Sequence, residues 1–168
     1  ETIAAIARLC ADGPVYMRFG RPKVANFTPI DEPFIIGKAQ MIEEGKDVSI
    51  FACGHLVWKA IEALPILKEM GINAELINIH TIKPLDTEAI LKSVAKTGCV
   101  VTAEEHMRNG GLGDSVAQLL ALHNPKPVEM VAVDDVFGQS GTPDELLKHY
   151  HLDTIDIVEA AKRAVARK

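Results

Sequence analysis

The chain has 168 residues, of which 48% are hydrophobic and 24% charged, a balance that favours one folded domain, with or without a fragment of another, and disfavours a disordered chain. Its 18 Lys and Arg residues are dispersed and are outnumbered by 23 Asp and Glu, so the net charge of −5 disfavours nucleic acid and anionic membranes as partners. No apolar run approaches the ~20 residues that a membrane span needs, and no secretory signal is evident, so we expect a cytoplasmic protein.

The amino-terminal part of the chain has the pattern of the end of one unit followed by a connection. Residues 3–10 carry apolar side chains at helical spacing, and the apolar run at residues 15–19 predicts a strand. Three prolines between residues 22 and 33 remove backbone donors and favour extended structure. We therefore place a linker at residues 28–33, and we interpret a start at Glu1, inside a helical pattern, as a piece of a longer polypeptide.

The remainder of the chain alternates between apolar runs and helical patterns. Pro65 lies inside the first of these helices and is expected to kink it, while Asp86 and Thr142 have the positions of helix caps. The predicted strands span residues 39–42, 47–53, 73–79, 99–103 and 127–133. The predicted helices span residues 56–70 and 112–122, begin at residues 87 and 143, and end with a helix from about residue 153 to 166.

This order of elements predicts an α/β fold of three layers, in which a mixed, mostly parallel sheet of five strands lies between helices. Only residues 43–46 separate the first two strands, and a parallel crossover needs a much longer connection. We therefore expect a hairpin-like first pair, with the first strand antiparallel to the others.

Residues 99–113 combine a strand end, a polar cluster and a glycine-rich turn, and ligands of such sheets bind at the carboxyl ends of strands. Because Glu104 and Glu105 are adjacent, a strand would direct them to opposite faces, so they do not form an acid–base pair. A contact with loops or with a partner chain is the favoured interpretation. His106 could act as a general base near neutral pH. The favoured interpretation is a hydrogen-bonding residue at a surface or interface.

The turn itself contains Gly110, Gly111 and Gly113 directly before a predicted helix. It does not match the dinucleotide fingerprint, because Val116 occupies the position of the third glycine, and no phosphate-loop motif is present. A tight turn with close packing of helix against strand is therefore the favoured interpretation. The alternative is an anion bound at the amino end of the helix.

Three further positions could carry chemistry. His55 follows a strand end, where a capping or interface role is favoured over ligand binding. Arg18 and Arg21 lie near another strand end and have the planar fork that binds phosphate, although a surface ion pair is the simpler interpretation. Ser140 precedes a glycine without the motif of a nucleophile elbow, so we do not expect it to be a nucleophile.

The three cysteines, Cys10, Cys53 and Cys99, are widely spaced and have apolar neighbours. Their odd number and their spacing predict buried free thiols in a reducing compartment rather than disulfides or a zinc site.

In their order and spacing, several of these stretches resemble the C-terminal part of transketolase. The resemblance covers nearly the whole chain, and it is closer to transketolases, including those split over two polypeptides, than to deoxyxylulose-phosphate synthase or to the β subunits of 2-oxoacid dehydrogenases. The matching stretches are residues 16–22, 34–39, the strand before Gly54, 81–86, 104–106 with 110–113, and 140–141 ahead of 145–147.

The resemblance implies a cytoplasmic enzyme of the pentose phosphate pathway that transfers a two-carbon ketol unit between sugar phosphates, using thiamine diphosphate and a divalent cation, Mg or Ca. Residues 1–27 correspond to the tail of its pyrimidine-binding domain and residues 34–168 to its C-terminal domain, which serves dimer and interdomain contacts. The implied partners are the remainder of the enzyme and a second copy.

Family residues for catalysis, cofactor and metal lie outside the matched stretches, so no position here inherits those roles. One role does carry over: Arg21 matches the arginine that binds the phosphate of the substrate. The chain alone is therefore expected to be inactive and to bind no cofactor. The alternative is a domain that docks a partner or binds a regulatory ligand in one of the two related enzymes.

Overall fold

A computed structural model describes residues 9–11, 13–18, 24–28 and 33–168 of the chain. The chain divides into two compact units, Glu1–Ile36 and Gly37–Lys168. In the first unit, residues 14–18 have no regular secondary structure, so the predicted strand at residues 15–19 is wrong over its described part. A strand needs a neighbour for its backbone hydrogen bonds, and no described strand pairs with this segment. The predicted helix at residues 3–10 falls almost entirely outside the described residues.

The second unit contains the sheet and its helices. Strands β1 to β5 span Gln40–Glu43, Val48–Ala52, Ala74–Asn78, Val100–Met107 and Val128–Val133. Helices α1 to α5 span Leu56–Glu69, Thr87–Thr97, Leu112–His123, Pro143–His149 and Thr154–Ala166. Helix α1 continues through Pro65, whose side chain faces solvent, and ends before Gly71, where φ is +80°. A glycine suits that left-handed position because it has no Cβ.

The sheet has the strand order β1-β3-β2-β4-β5, with β1 antiparallel to β3 and all other pairs parallel. The predicted mixed sheet with an antiparallel first strand is therefore confirmed. The expected pairing of the first two strands is wrong, because β3 lies between them. The short connection reverses the chain direction, as expected. However, β2 does not lie next to β1 in the sheet, and β3 occupies the position between them.

Burial explains the strand order. All five residues of β2 and of β3 are buried, as central strands with both faces covered require. Strand β1 alternates between partly buried and exposed residues, which suits an edge. Helices α1 and α5 cover one face of the sheet, and α2 and α3 cover the other, which confirms the three layers.

One half of the core lies between the sheet and helices α2 and α3. It includes Phe51, which is fully buried, and burying a side chain of this size stabilises the fold by roughly 1.5–3 kcal/mol. Its other members are Ile77, Ile79, Ile90, Val94, Val100, Leu112, Val116, Leu119 and Leu120.

Side chains cap the starts of three helices, α2, α4 and α5. Asp86 accepts a hydrogen bond from the amide of Ala89, and Thr142 forms a capping box with Glu145, so both predicted caps are confirmed. A second capping box joins Asp153 and Asp156 at the start of α5. In the part of the chain that the structure describes, no helix is long and apolar enough to cross a membrane.

The cysteines are free, as predicted, but their burial differs. Cys99 is buried, Cys53 is partly buried and Cys10 is exposed, so the prediction of buried thiols holds for Cys99 and is wrong for Cys10. Residues 9–11 and 13–18 share the exposure of Cys10.

Candidate functional site

Four parallel strands end at one edge of the sheet and place polar side chains there. His55 follows β2, His80 follows β3, Asp134 follows β5, and β4 carries two adjacent glutamates close to its end. This is the edge at which ligands bind in open α/β sheets, so its contacts decide what chemistry the unit can support.

Glu104 is the buried member of this group, with 2% of its surface exposed. Its Oε2 accepts a hydrogen bond of 2.7 Å from the amide of Leu112, and its Oε1 accepts one of 2.8 Å from the amide of Gly113. These amides are the first of helix α3, where unpaired N–H groups and the helix dipole favour an anion. The carboxylate thus caps α3 from a neighbouring strand.

The glycine-rich turn makes this contact possible. A Cβ at Gly111 would lie 2.2 Å from Oε2 of Glu104, and a Cβ at Gly113 would lie 3.0 Å from Oγ1 of Thr102. Close packing of helix against strand, the favoured interpretation of the turn, is therefore confirmed. The alternative interpretation was an anion bound at the amino end of the helix, and that position is occupied by the carboxylate of Glu104.

Glu105 points to the other face of β4, as the alternation of a strand predicts, and is exposed. Its Oε2 lies 3.0 Å from Nδ1 of His55, which joins the ends of β4 and β2. His55 occupies the N-cap position of α1, but its side chain makes no capping hydrogen bond, so the capping interpretation is wrong. Both side chains are partly exposed, and an ion pair of this kind contributes little stability.

His106 is separate from this pair. Its Nδ1 lies 2.8 Å from the carbonyl oxygen of Met107, and the side chain is exposed, as expected for a hydrogen-bonding surface residue. No hydrogen bond among the described residues joins it to Glu104 or Glu105. The structure therefore pairs the more distant histidine, His55, with a glutamate, and the sequence contained no signal for that choice.

Cys53 lies near the same edge, at the end of β2. Burial, together with the charge of Glu104, raises the pKa of its thiol to about 12. A thiol that stays protonated at neutral pH is a poor nucleophile, so the arrangement does not support covalent catalysis by Cys53.

The segment from Thr81 to Asp86 holds the start of the second unit. Thr81 Oγ1 accepts a hydrogen bond of 3.1 Å from the amide of Gly37, and Oδ2 of Asp86 accepts one of 3.0 Å from the amide of Ala39. Because Oδ1 of Asp86 also accepts the Ala89 amide, a single carboxylate joins the approach to β1 with the start of α2. The stretch of residues 81–86 thus has a structural role, which is to join the approach to β1 with the start of α2.

Sequence reasoning missed an ion pair between a buried glutamate and an exposed lysine at the opposite edge of the sheet. Glu75, in β3, has a side chain that is 1% exposed, and its Oε2 contacts Nζ of Lys96 on α2. Hydrogen bonds to Glu44 and Glu75 raise the pKa of Lys96. Oε1 of Glu75 has no hydrogen-bond partner among the described residues, so the carboxylate depends on Lys96 and on a longer contact with the amide of Gly45 at 3.4 Å. The sequence signal for this pair was the glutamate within the strand sequence AELIN, because a charged residue in a buried strand needs a partner.

The remaining candidates stand apart from this edge or outside the described residues. Ser140 lies in an exposed loop, and Arg18 is exposed. Arg21, the predicted phosphate ligand, lies outside the described residues, and its role stays a prediction.

The described residues do not fit thiamine diphosphate and its cation. Among them, no group of three or more His, Cys, Asp or Glu side chains could hold a metal ion. The amides at the start of α3, which would suit a phosphate, already bind Glu104. The contacts observed at this edge join β4 to α3 and β4 to His55.

Comparison with known proteins identifies the family to which the chain belongs. A family model described as "Transketolase, C-terminal domain" matches residues 37–157. The chain is 42% identical over 160 residues to a 6-deoxy-6-sulfo-D-fructose transketolase subunit of Clostridium sp. MSTE9, covering 95% of this chain and 50% of that subunit. It is 36% identical over 163 residues to 1-deoxy-D-xylulose-5-phosphate synthase of Symbiobacterium thermophilum, covering 95% of this chain and 25% of that enzyme.

A solved structure is similar over almost the whole chain. It is described as a split gene transketolase in the form of an inactive beta4 tetramer, with a TM-score of 0.91 and 43% identity, and the match covers 98% of this chain and 55% of that one. The chain thus spans about half the length of each of these two similar transketolase chains.

Proposed function

Because the chain belongs to the transketolase family through its C-terminal domain, we propose that it is the C-terminal portion of a thiamine-diphosphate-dependent transketolase. The complete enzyme transfers a two-carbon ketol unit between sugar phosphates. The observation that carries this proposal is the 42% identity to a transketolase subunit across 95% of the chain. The lower identity to a deoxyxylulose-phosphate synthase, 36%, favours the transketolase branch over that alternative.

In this proposal the described residues supply contacts, and the chemistry belongs to the remainder of the enzyme. Thiamine diphosphate, bound by the remainder of the enzyme, would supply the electron sink that this transfer needs. Residues 33–168 do not fit that cofactor, so the remainder of the enzyme, as further domains or as a separate subunit, holds it and its Mg or Ca ion. Within residues 1–27, a tail of the pyrimidine-binding domain, Arg21 binds the phosphate of the sugar. A guanidinium fork suits this task because it forms two parallel charge-assisted hydrogen bonds.

Self-association is the second part of the proposal. The split transketolase that is 43% identical to this chain is described as an inactive tetramer of its beta chains. By analogy, this chain alone associates with further copies, with a homodimer as the unit, and it is inactive until the remainder of the enzyme joins it. The cytoplasmic location and the place in the pentose phosphate pathway belong to the same proposal.

The test is reconstitution. The chain is assayed alone and together with the remaining part of the enzyme, with thiamine diphosphate, magnesium, a ketose phosphate donor and an aldose phosphate acceptor. We expect ketol transfer only from the combination, and thiamine diphosphate binding only there by calorimetry. A combination that binds the cofactor but transfers no ketol unit from any ketose phosphate would contradict the transketolase assignment.

A further inference from the structure

A cavity, here the β1 cavity, lies between strand β1 and helix α2 at the edge of the sheet. It has a volume of about 290 Å³, which is close to the lower end of the ~300–1,000 Å³ range of small-molecule sites. Ala39, Met41, Ile77 and Ala89 supply apolar walls, and Met41 is one of the exposed large hydrophobic residues. The lining is therefore mostly apolar, and the few charged groups in it decide what the cavity can bind.

Glu75 forms part of the wall of this cavity, and its carboxylate is incompletely hydrogen-bonded. The side chain is 1% exposed, and its Oε2 contacts Nζ of Lys96, whereas Oε1 has no hydrogen-bond partner among the described residues. A buried carboxylate oxygen without a donor costs free energy, because it has lost its hydrogen bonds to water. A ligand that brings a hydrogen-bond donor into the cavity would remove that cost.

The charges next to this oxygen favour a donor that is a cation. Nζ of Lys96 lies 2.9 Å from Oε2 of Glu44 and also contacts Glu75, so one ammonium group serves two carboxylates. The hydrogen bond from Lys96 lowers the pKa of Glu44, which keeps that carboxylate charged at neutral pH. Lys92 also lines the cavity, but among the described residues it makes no ion pair with either carboxylate. The immediate surroundings of Oε1 therefore carry an excess of negative charge.

We propose that the β1 cavity binds a small organic ammonium ion, a primary amine with a short aromatic body. The ammonium group donates a charge-assisted hydrogen bond to Oε1 of Glu75, and the body packs against Met41 and Ile77. Met41 suits an aromatic ring because a thioether makes favourable contacts with rings. An anionic ligand would be repelled by Glu44 and Glu75 instead. The proposed function uses none of these residues, so this inference goes beyond it and does not depend on it.

The test titrates the chain with three probes of similar size at neutral pH and follows amide nitrogen–proton correlation spectra. Phenethylammonium carries the ammonium group, phenethyl alcohol replaces it with a hydroxyl, and hydrocinnamate carries a carboxylate. We expect phenethylammonium to shift the amides of residues 39–41, 77 and 89–93 with a dissociation constant on the order of 1 mM, and the other two probes to bind at least about tenfold more weakly. Equal binding of the ammonium and the alcohol, tighter binding of the carboxylate, or no shift at these residues with any probe would overturn the proposal.

Variants locate the bound probe. Glu75→Gln removes the charge and should weaken phenethylammonium at least about tenfold, so that its advantage over the alcohol disappears. Glu43→Gln is the matched control, because Glu43 is an exposed glutamate of β1 outside the lining of the cavity, and binding should stay within about threefold.

A second variant leaves the glutamate in place. Glu75→Gln also weakens the pair with Lys96, so thermal unfolding must show that this variant remains folded. Ala89→Leu fills the cavity from α2 without changing any charge, and it should abolish the binding of phenethylammonium. Binding that survives in Ala89→Leu, or is unchanged in folded Glu75→Gln, would show that the ammonium ion binds elsewhere and would overturn the proposal.

Discussion

The carboxylate of Glu104 lies 2.7 Å from the backbone amide of Leu112, which makes a β4 side chain the cap of the helix that follows it. Most helices are capped by a residue at their own start, whereas α3 has glycine at its N-cap, and Gly111 offers no side chain for the purpose. The capping charge therefore comes from a residue seven positions earlier, and the contact joins the strand to the helix through their shared turn.

Replacing Glu104 with Gln should destabilise the fold. The amide side chain carries no charge for the helix end, and its NH2 group would face a backbone N–H in place of an oxygen. We expect the free energy of unfolding in urea to fall by about 1–3 kcal/mol. Glu105→Gln is the matched control, because its carboxylate is exposed and its pair with His55 should be worth less than about 1 kcal/mol. Equal losses in the two variants would contradict a capping role.

Replacing Gly111 with Ala should disrupt the same contact from the other side. The new Cβ would lie 2.2 Å from Oε2 of Glu104, so the carboxylate must move and lose its short hydrogen bonds. We expect a loss of about 1–3 kcal/mol in the free energy of unfolding. Gly138→Ala is the control, because a Cβ there meets nothing within 4 Å.

A double-mutant cycle locates the cause of that loss. In a chain that already carries Glu104→Ala, the carboxylate is absent, so Gly111→Ala should cost far less than in the wild type. Additive effects would indicate that the turn rejects alanine for a reason unrelated to Glu104.

The ion pair between buried Glu75 and partly exposed Lys96 predicts a dependence of stability on alkaline pH. Lys96→Met leaves the buried carboxylate without its cation, and we expect a loss of about 2–3 kcal/mol, less than for a fully buried pair because Lys96 is partly exposed. Lys92→Met, an exposed position on the same helix, is the control and should cost little.

The sign of the pH effect follows from the direction of the shift. Hydrogen bonds to Glu44 and then to Glu75 raise the pKa of Lys96 above its ordinary 10.5, so the folded state holds this proton more tightly than the unfolded state. The contribution is therefore complete below pH 10.5 and is lost as pH rises through the raised pKa. Urea unfolding across that range should show a steeper loss for the wild type than for Lys96→Met, and parallel curves would argue against this linkage.

Arg21 is tested in the complete enzyme. If it binds the phosphate of the sugar, Arg21→Ala should weaken the use of phosphorylated substrates by about 2–3 kcal/mol, or roughly 30- to 150-fold in kcat/KM, and should spare unphosphorylated ones. Arg18→Ala is the neighbouring control. Equal effects of Arg21→Ala on both kinds of substrate would show that the residue does not bind the phosphate.

The sequence was sufficient for the layers of the fold but not for every neighbour in the sheet. The short connection after β1 determined that its direction opposes that of β2, yet strand order depends on which faces must be buried. The fully buried β2 belongs in the centre, and the alternating β1 belongs at an edge, so β3 pairs with both.

In the candidate site, too, local features could be predicted from the sequence and contacts between distant segments could not. Alternation along a strand separated Glu104 from Glu105 correctly, because that rule is local. The partners of each glutamate depend on how distant segments fold together, so neither the amides of α3 nor His55 could be chosen from spacing. Glu75 and Lys96 lie 21 positions apart on a strand and a helix, and only the packing of α2 on the sheet brings them together.

The carboxylate of Asp86 has a consequence for how this unit opens. Its two oxygens satisfy the amide of Ala39 ahead of β1 and the amide of Ala89 in the first turn of α2, and the side chain is only 8% exposed. Neither amide can keep its acceptor if the carboxylate moves away, so we expect fraying of the edge strand and fraying of the helix to be coupled. The segment that leads into β1 and the start of α2 should therefore open together, although 47 positions separate Ala39 from Asp86 in the chain.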